Sequence, residues 1–515
     1  MKRPTHTFQT RFVVDKNNHK ILNAYAGLFC QMERSLFSEI MAGKKANDLK
    51  NKYLKRFDVT ARQFNACRAQ LEGKIDSLKQ LQSREILNVK ERIKKLERTI
   101  SHKKKKKYSF LFFKQCSLKK LTDKLGKLEK KKAEGKVDLC FGSKKCFRAQ
   151  FHLEDSSYNS FSEWKEDWKN SRNTHFFILG SKDESGGNQS CTVSIQKSGK
   201  LSCRLRLPNA LVEKYGKYLV FSDVSFQYGH EAIVSSIESC QTRSNLQKTG
   251  NNLYKEFGQA ISFRIKQDKK GWRVFATTTL EEPEWITKST LGVIGIDVNA
   301  NHLAIAETDH FGNVIKTSSI PLSLYGKSKD QSKAIIGDSC AKIIDLAIAK
   351  RKDCVIEKLD FQKKKQSLSE NQNISYKRMI SSFAYESIIG NFKSRAWRFG
   401  VHVHEVNPAY TSVIGQVKFA YRYGMSTHQA AALSIARRYF RFSEKVPRQM
   451  EKIPDGKGDH VDFPVPVRNR KKHVWSQWGI IRRKLRVVLA AHFRAIRNRS
   501  IDPPLTVYEI VTSRI

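Results

Sequence analysis

Two acidic residues end apolar runs in this chain, and together they could bind divalent cations for phosphoryl transfer. Asp297 ends the run "GVIGID", and Glu357 follows the apolar residues of "CVIEKLDF". An acidic side chain in a buried strand is costly unless it is paired or binds a metal. Two carboxylates on neighbouring strands can hold two cations roughly 3.5–4 Å apart, which activate water and stabilise the leaving oxygen. The simpler alternatives are a turn-capping aspartate and a surface glutamate.

A histidine is the candidate third member of this site. The stretch "YGMSTHQAAALSIARRYF" predicts a helix that begins at Ser426 or Thr427 and packs through three alanines, with His428 in its first turn. His428 could ligate a metal or transfer a proton, since an unperturbed imidazole has a pKa of about 6.5. Magnesium prefers oxygen ligands, and manganese accepts nitrogen more readily. The alternatives are a lost acidic ligand, with loss of cleavage, or a different acid in its place. The candidates for that acid are Glu405, Asp459 and Asp462.

The charge of the chain predicts a polyanionic partner. It has 96 Lys and Arg residues against 49 Asp and Glu, a formal net charge of +47. Such an excess repels itself unless a polyanion neutralises it, so nucleic acid is the expected partner. The candidate phosphate contacts are Lys103, Lys104 and Lys105, then Lys363, Lys364 and Lys365 after the second acid, and Arg437 and Arg438. Solvated surface charge explains these runs equally well. Trp475 and Trp478 fit either base stacking or a core, and the core is the commoner use.

The cysteines and the apolar runs predict a reduced, cytoplasmic protein. The ten cysteines form no C-x₂-C pair, which argues against an ordinary zinc knuckle. The start, "MKRPTHTFQT", lacks the apolar core of a signal peptide, so reduced thiols are expected. No run of eighteen apolar residues is present, and no membrane partner is predicted.

The order of predicted elements indicates a multidomain α+β chain. Residues 1–20 begin with a strand, and residues 21–135 have the apolar spacing of amphipathic helices. Residues 136–288 carry short alternating runs, which predict an antiparallel β-barrel or sandwich into which the helices are inserted. Residues 289–440 predict three antiparallel strands, helix, strand, helix, strand and helix, the order of an RNase H-like α/β domain. Residues 441–515 form a basic C-terminal extension.

Three of these motifs resemble a known nuclease family. "GVIGIDVN", "CVIEKLDF" and "HQAAALSIARR" are similar to the three split RuvC segments of the TnpB nucleases, relatives of the type V CRISPR effectors. "VNPAYTS" resembles the stretch that follows the fifth strand in that family. The resemblance implies a guide RNA, a double-stranded DNA target beside a short adjacent motif, and a magnesium-dependent cut in the prokaryotic cytosol or nucleoid. It also implies that the β-barrel is a wedge domain and the helical insertion a recognition lobe.

Two departures from the family pattern bear on the site. The family usually carries a four-cysteine zinc ribbon before the third segment, whereas residues 408–427 contain no cysteine, so no structural zinc is expected. His428 stands where family members have an aspartate. The resemblance therefore implies catalytic and metal-binding roles for Asp297 and Glu357, with His428 as the third position.

The function predicted from these observations is RNA-guided DNA cleavage. One alternative is an RNA-guided DNA-binding protein without nuclease activity, such as a repressor; His428 and the missing ribbon favour it, and the two acids oppose it. Another is a guide-independent RuvC-like nuclease, which would not need so large and basic an N-terminal half.

Overall fold

The computed structural model divides the chain into two compact units, Met1–Glu282 and Pro283–Ile515. The residues described are 5–102, 108–250, 252–279, 282–358, 385–448, 450–455, 458–471 and 473–499.

The described strands of the first unit form two open antiparallel sheets. The strands are β1 (Thr5–Arg11), β2 (His175–Ile178), β3 (Cys191–Ile195), β4 (Leu201–Arg206), β5 (Tyr218–Val224), β6 (Ser262–Asp268) and β7 (Gly271–Thr279). Their orders are β1-β7-β6-β2 and β3-β4-β5. Over the described residues these sheets do not close into a barrel, because a closed barrel pairs its edge strands, so the predicted β-barrel is not confirmed. Here the strands instead share one apolar core with the helices.

The helices of the first unit are α1 (Lys16–Met41), α2 (Lys50–Phe57), α3 (Ala61–His102), α4 (Tyr108–Ala133), α5 (Lys144–Ala149), α6 (Phe161–Ser171), α7 (Asn209–Tyr215) and α8 (His230–Lys248). Of these, α1, α3 and α8 contact the sheets and supply part of the same core. Phe29 of α1 and Phe64 of α3 are fully buried in it with Phe176 and Phe263 of the first sheet. The predicted helices of residues 21–135 are present, whereas α5 to α8 interrupt a region predicted only as strands.

The second unit is built on a five-stranded mixed sheet. Its strands are β8 (Val293–Val298), β9 (His302–Thr308), β10 (Val314–Pro321), β11 (Asp353–Glu357) and β12 (Val403–Val406), in the order β10-β9-β8-β11-β12. The first three strands are antiparallel neighbours, while β11 runs parallel to both β8 and β12. The element order predicted for an RNase H-like domain is observed, and the mixed α+β class is confirmed.

Helices cover both faces of this sheet. The helices of this unit are α9 (Lys329–Lys350), α10 (Tyr385–Arg398), α11 (Thr411–Ile414), α12 (Thr427–Tyr439) and α13 (Val474–Arg499). A π-helical segment spans Gly415–Ala420, and β13 (Glu451–Pro454) and β14 (His460–Phe463) form a hairpin. Ile296 and Ile356 pack on one face with Phe392 of α10. Val293 and Val355 pack on the opposite face with Ile435 of α12.

All ten cysteines are free thiols, and eight of them are buried. Cys116 and Cys140 are half-buried. Among the described helices, none has the length and apolar character needed to cross a membrane.

Candidate active site

The register of two parallel strands brings Asp297 and Glu357 to the same edge of the sheet. Ile296 of β8 pairs with Ile356 of β11, so the next residue on each strand is an acid at the carboxyl end. Side chains alternate between faces along a strand, and paired residues of parallel strands share a face. Asp297 and Glu357 therefore lie on the face of Val293 and Val355, which α12 covers.

Two glycines allow α12 to pack closely, Gly295 on the strand that it covers and Gly415 in the neighbouring π-helical segment. A Cβ added at Gly295 of β8 would lie 2.1 Å from the carbonyl oxygen of Ala432, and one at Gly415 would lie 2.5 Å from the backbone of Ala430. Glycine and alanine are thus required where backbone meets backbone. The helix begins after a capping box, in which Ser426 accepts from the amide of Gln429 and the Gln429 side chain accepts from the amide of Ser426. Its first turn therefore lies above the acidic strand end.

His428 contacts Asp297 directly. Its Nδ1 lies 3.2 Å from Asp297 Oδ2, and Asn299 Nδ2 donates to the same oxygen at 3.0 Å. The ring of His302 packs edge-on against the His428 ring, with centroids 4.8 Å apart. Burial lowers the pKa of His302, positive charge on His428 lowers it further, and Asp297 acts in the opposite direction. Asn299 and His302 were not predicted as site residues from the sequence, although both follow Asp297 within the short stretch "DVNANH".

Glu357 is held by a buried hydroxyl. Thr411 is fully buried at the start of α11, and its Oγ1 donates a short hydrogen bond to Glu357 Oε1. The preceding residue, Tyr410, has a left-handed backbone with φ of +63°. Thr411 lies in the "PAYTS" stretch quoted above, but its contact with the acid could not be read from the sequence.

Tyr385 is a buried neighbour of the acids at the first residue of α10. Burial raises the pKa of its phenol, and the negative charge of Glu357 is the next largest cause. Asp297 and Glu405 act in the same direction. Tyr385 is therefore a buried phenol within electrostatic range of all three carboxylates.

The alternative acids lie elsewhere. Glu405 pairs with Ile356 in the sheet, which puts it on the face opposite Asp297, and its Oε1 lies 2.8 Å from Lys393 Nζ of α10. Asp459 and Asp462 are exposed in the β13–β14 hairpin. Asp459 Oδ1 accepts from the amide of His460, and Asp462 pairs across the hairpin with Lys452.

The two predicted phosphate-binding arginines make contacts within the second unit. Arg437 Nε donates to Glu444 Oε1 at 2.5 Å. Arg438 Nη1 donates to the carbonyls of Asn407 and Ala409, and burial lowers the pKa of its guanidinium. The other predicted contacts lie outside the described residues: Lys103, Lys104, Lys105, Lys363, Lys364 and Lys365.

The donor atoms fit a divalent cation in type. Asp297 and Glu357 offer carboxylate oxygens, the ligands that magnesium prefers, and His428 adds a nitrogen that manganese accepts more readily. Over the described part of the chain, however, no group of three or more His, Cys, Asp and Glu side chains is arranged to hold an ion. The pair of acids is in place, and the third position is an imidazole directed at one of them.

Comparisons with known proteins give only weak likenesses. No protein-family model and no curated protein sequence matches the chain. The chain is similar to the structure of T. thermophilus RuvC in complex with a Holliday junction substrate, at 15% identity and a TM-score of 0.21, over 29% of this chain and 95% of that one. It is also similar to Cas12f1 in a complex with sgRNA and target DNA, at 12% identity and a TM-score of 0.21, over 84% and 99%. Such TM-scores are too low to assign a function.

Proposed function

We propose that this protein is an RNA-guided DNA endonuclease. The observation that carries the proposal is the pair of acids, Asp297 and Glu357, at adjacent carboxyl ends of parallel strands, with His428 contacting the first. The net charge of +47 supports nucleic-acid partners, namely a guide RNA and a double-stranded DNA target beside a short adjacent motif.

In this function Asp297 and Glu357 would hold magnesium, or manganese, through their carboxylate oxygens. Such a cation, when bound, would supply charge stabilisation and activation of water for phosphodiester hydrolysis. Asn299 and His428 fix the orientation of the Asp297 carboxylate, and Thr411 fixes that of Glu357. The imidazole of His428 is half exposed beside Asp297, which supports a second role for it in proton transfer.

One observation favours a second candidate function, an RNA-guided DNA-binding protein without nuclease activity. His428 is directed at Asp297, and no three-residue metal group is present among the residues described. If the imidazole occupies the space of the third ligand without binding metal, guided binding would persist and cleavage would not.

Alanine substitution of each acid distinguishes these functions. Asp297→Ala and Glu357→Ala are expected to abolish cleavage of a guide-matched DNA while RNA binding stays unchanged, and chelation of divalent cations should do the same to the native protein. Asp330→Ala is the matched control, because that carboxylate is 94% exposed on α9. Retained cutting by either active-site variant would overturn the assignment, and absence of cutting by the native protein would favour the second candidate.

RNA guidance is tested by sequencing the RNA that remains bound. The protein is expressed from its native locus and purified at high salt. A discrete RNA with a constant part encoded beside the gene and a variable end is expected. Random cellular RNA that dissociates steeply with salt would contradict guidance, because such binding depends on counterion release.

A further inference from the structure

We infer that α13 carries a binding track for single-stranded nucleic acid, and that this track leads to the Glu357 side of the candidate active site. The track is defined by Trp475, Arg482, Arg483, Arg486 and Arg494. Binding of a single strand by the track does not depend on the proposed function. That the bound strand is the one that is cut does rest on the proposed function.

The first support is uncompensated charge on one side of the helix. α13 carries seven basic residues and no acidic ones in its 26 positions. Four of its exposed arginines recur at helical spacing and share a face with Trp475. Since no carboxylate on the same helix neutralises them, this face attracts a linear polyanion.

The second support is a pair of shallow hollows along this face. One hollow of about 450 Å³ is bounded by Tyr410, Gly479, Arg482, Arg483 and Arg486. A second hollow of about 520 Å³ continues along the helix as far as Arg494. Arg483 and Arg486 border both hollows, so the two lie next to each other.

The opposite face of α13 is covered by the rest of the unit, which distinguishes this helix from an amphipathic helix that binds a membrane surface. Trp478, Ile481 and Leu485 are buried in a core with α12 and the β13–β14 hairpin. His492 lies 3.3 Å from the buried carboxylate of Asp455, close to β13. A helix that binds a lipid surface needs its apolar face exposed. Here the main apolar stripe is buried, and the exposed surface is basic with two apolar side chains, Val487 and Phe493, among its arginines.

The aromatic residues at the start of the track favour a single strand over a duplex. Trp475 is 39% exposed, whereas Trp478 is 1% exposed, so only the first can meet a base. The Tyr410 ring packs edge-on near Trp475, with centroids 6.4 Å apart. Stacking on a side chain requires an unstacked base, which a single strand offers and a closed duplex does not.

The position of Tyr410 gives the track its direction. Gly479 lets the Tyr410 hydroxyl lie against α13, because a Cβ there would be 3.2 Å from that oxygen. The next residue in the chain is Thr411, which donates to Glu357. A strand that follows the arginines to Tyr410 is therefore delivered beside this acid.

Site-specific crosslinking tests the track. The full-length protein is irradiated in chelator with an oligonucleotide containing 5-iodouracil, as a single strand and as a duplex, and the attachment sites are mapped by mass spectrometry. We expect attachment at Trp475 from the single strand. Arg483→Glu combined with Arg486→Glu should reduce that yield by about tenfold or more, because two phosphate contacts become repulsive.

Lys484→Glu is the matched control, since Lys484 is an exposed cation of the same helix that borders neither hollow. Its yield at Trp475 should stay within about twofold of the native value, given one charge reversal away from the strand. Absence of attachment at Trp475, equal attachment from the duplex, or equal loss in the control would overturn the inference. Crosslinking in chelator needs no cleavage, so an inactive enzyme with an intact track would refute only the proposed nuclease function.

Discussion

At the scale of single residues, the chemistry of the site depends on His428. Its imidazole touches Asp297, the residue that begins the acidic pair, and half of its side chain is exposed. A neutral imidazole can ligate a cation or transfer a proton, but it cannot supply the negative charge that a third carboxylate would bring to a magnesium site. The metal preference of the site should therefore depend on this position.

The substitution His428→Asp tests that dependence. We expect magnesium-supported cleavage to be retained or increased, because a hard oxygen ligand replaces nitrogen, and the rate ratio of manganese to magnesium to fall. The measurement is single-turnover cleavage in each metal. Complete loss of cleavage in a folded variant would show that the imidazole itself is required.

A second residue-scale prediction concerns His175, half-buried on β2 of the first unit. Burial and the nearby charge of Lys74 lower its pKa to about 3. Glu33 lies 3.8 Å away, but its charge is compensated by Lys74 at 2.6 Å. Because the folded pKa lies below the unfolded value of about 6.5, the unfolded chain binds a proton that the folded chain does not, and stability falls as pH drops through that interval.

His175→Gln should remove this part of the pH dependence. Between pH 7 and pH 5 the free energy of unfolding of the first unit should fall by about 2 kcal/mol more in the native protein than in the variant. Denaturant titration at the two pH values measures the difference. Parallel pH profiles would contradict the depressed pKa.

At the scale of elements, the close contact between α12 and β8 sets the position of His428. Gly295→Ala would place a Cβ 2.1 Å from the Ala432 carbonyl oxygen, so the helix must shift. We expect a loss of about 1–3 kcal/mol in the free energy of unfolding, together with slower cleavage. Gly390→Ala on α10 is the control, because nothing lies within 4 Å of that Cβ, and it should be neutral or stabilising by up to about 1 kcal/mol. Equal stability of the two variants would show that α12 tolerates displacement.

Some elements of the fold could be predicted from the sequence, and others could not. β8 and β11 were predictable because each is a continuous apolar run that ends at an acid. Local alternation predicted the strands of the first unit but could not decide between a barrel and open sheets, because barrel closure depends on which edge strands meet. Thr411 contacts Glu357 across 54 residues of chain, beyond any local pattern. The sequence does not distinguish Trp475 from Trp478, which lie three residues apart on one helix. Only tertiary packing exposes the first ring and buries the second.

At the scale of the whole molecule, the charge of +47 controls how tightly any nucleic acid is held. Affinity for an unrelated single strand should fall linearly with the logarithm of salt concentration, with a slope of about −0.7 for each phosphate contacted. Fluorescence anisotropy across a salt series measures this slope. Arg483→Glu with Arg486→Glu should make it shallower by roughly 1 to 2, while an unchanged slope would place the bound phosphates elsewhere.

The contact between His428 and Asp297 also has a genetic consequence. Histidine and aspartate codons differ only in their first base, so an acid at this position is among the nearest variants that mutation can reach. A population selected for cleavage with magnesium as its sole divalent cation would sample that change early. Whether such lineages acquire aspartate or keep histidine at this position would show whether the imidazole itself contributes to function.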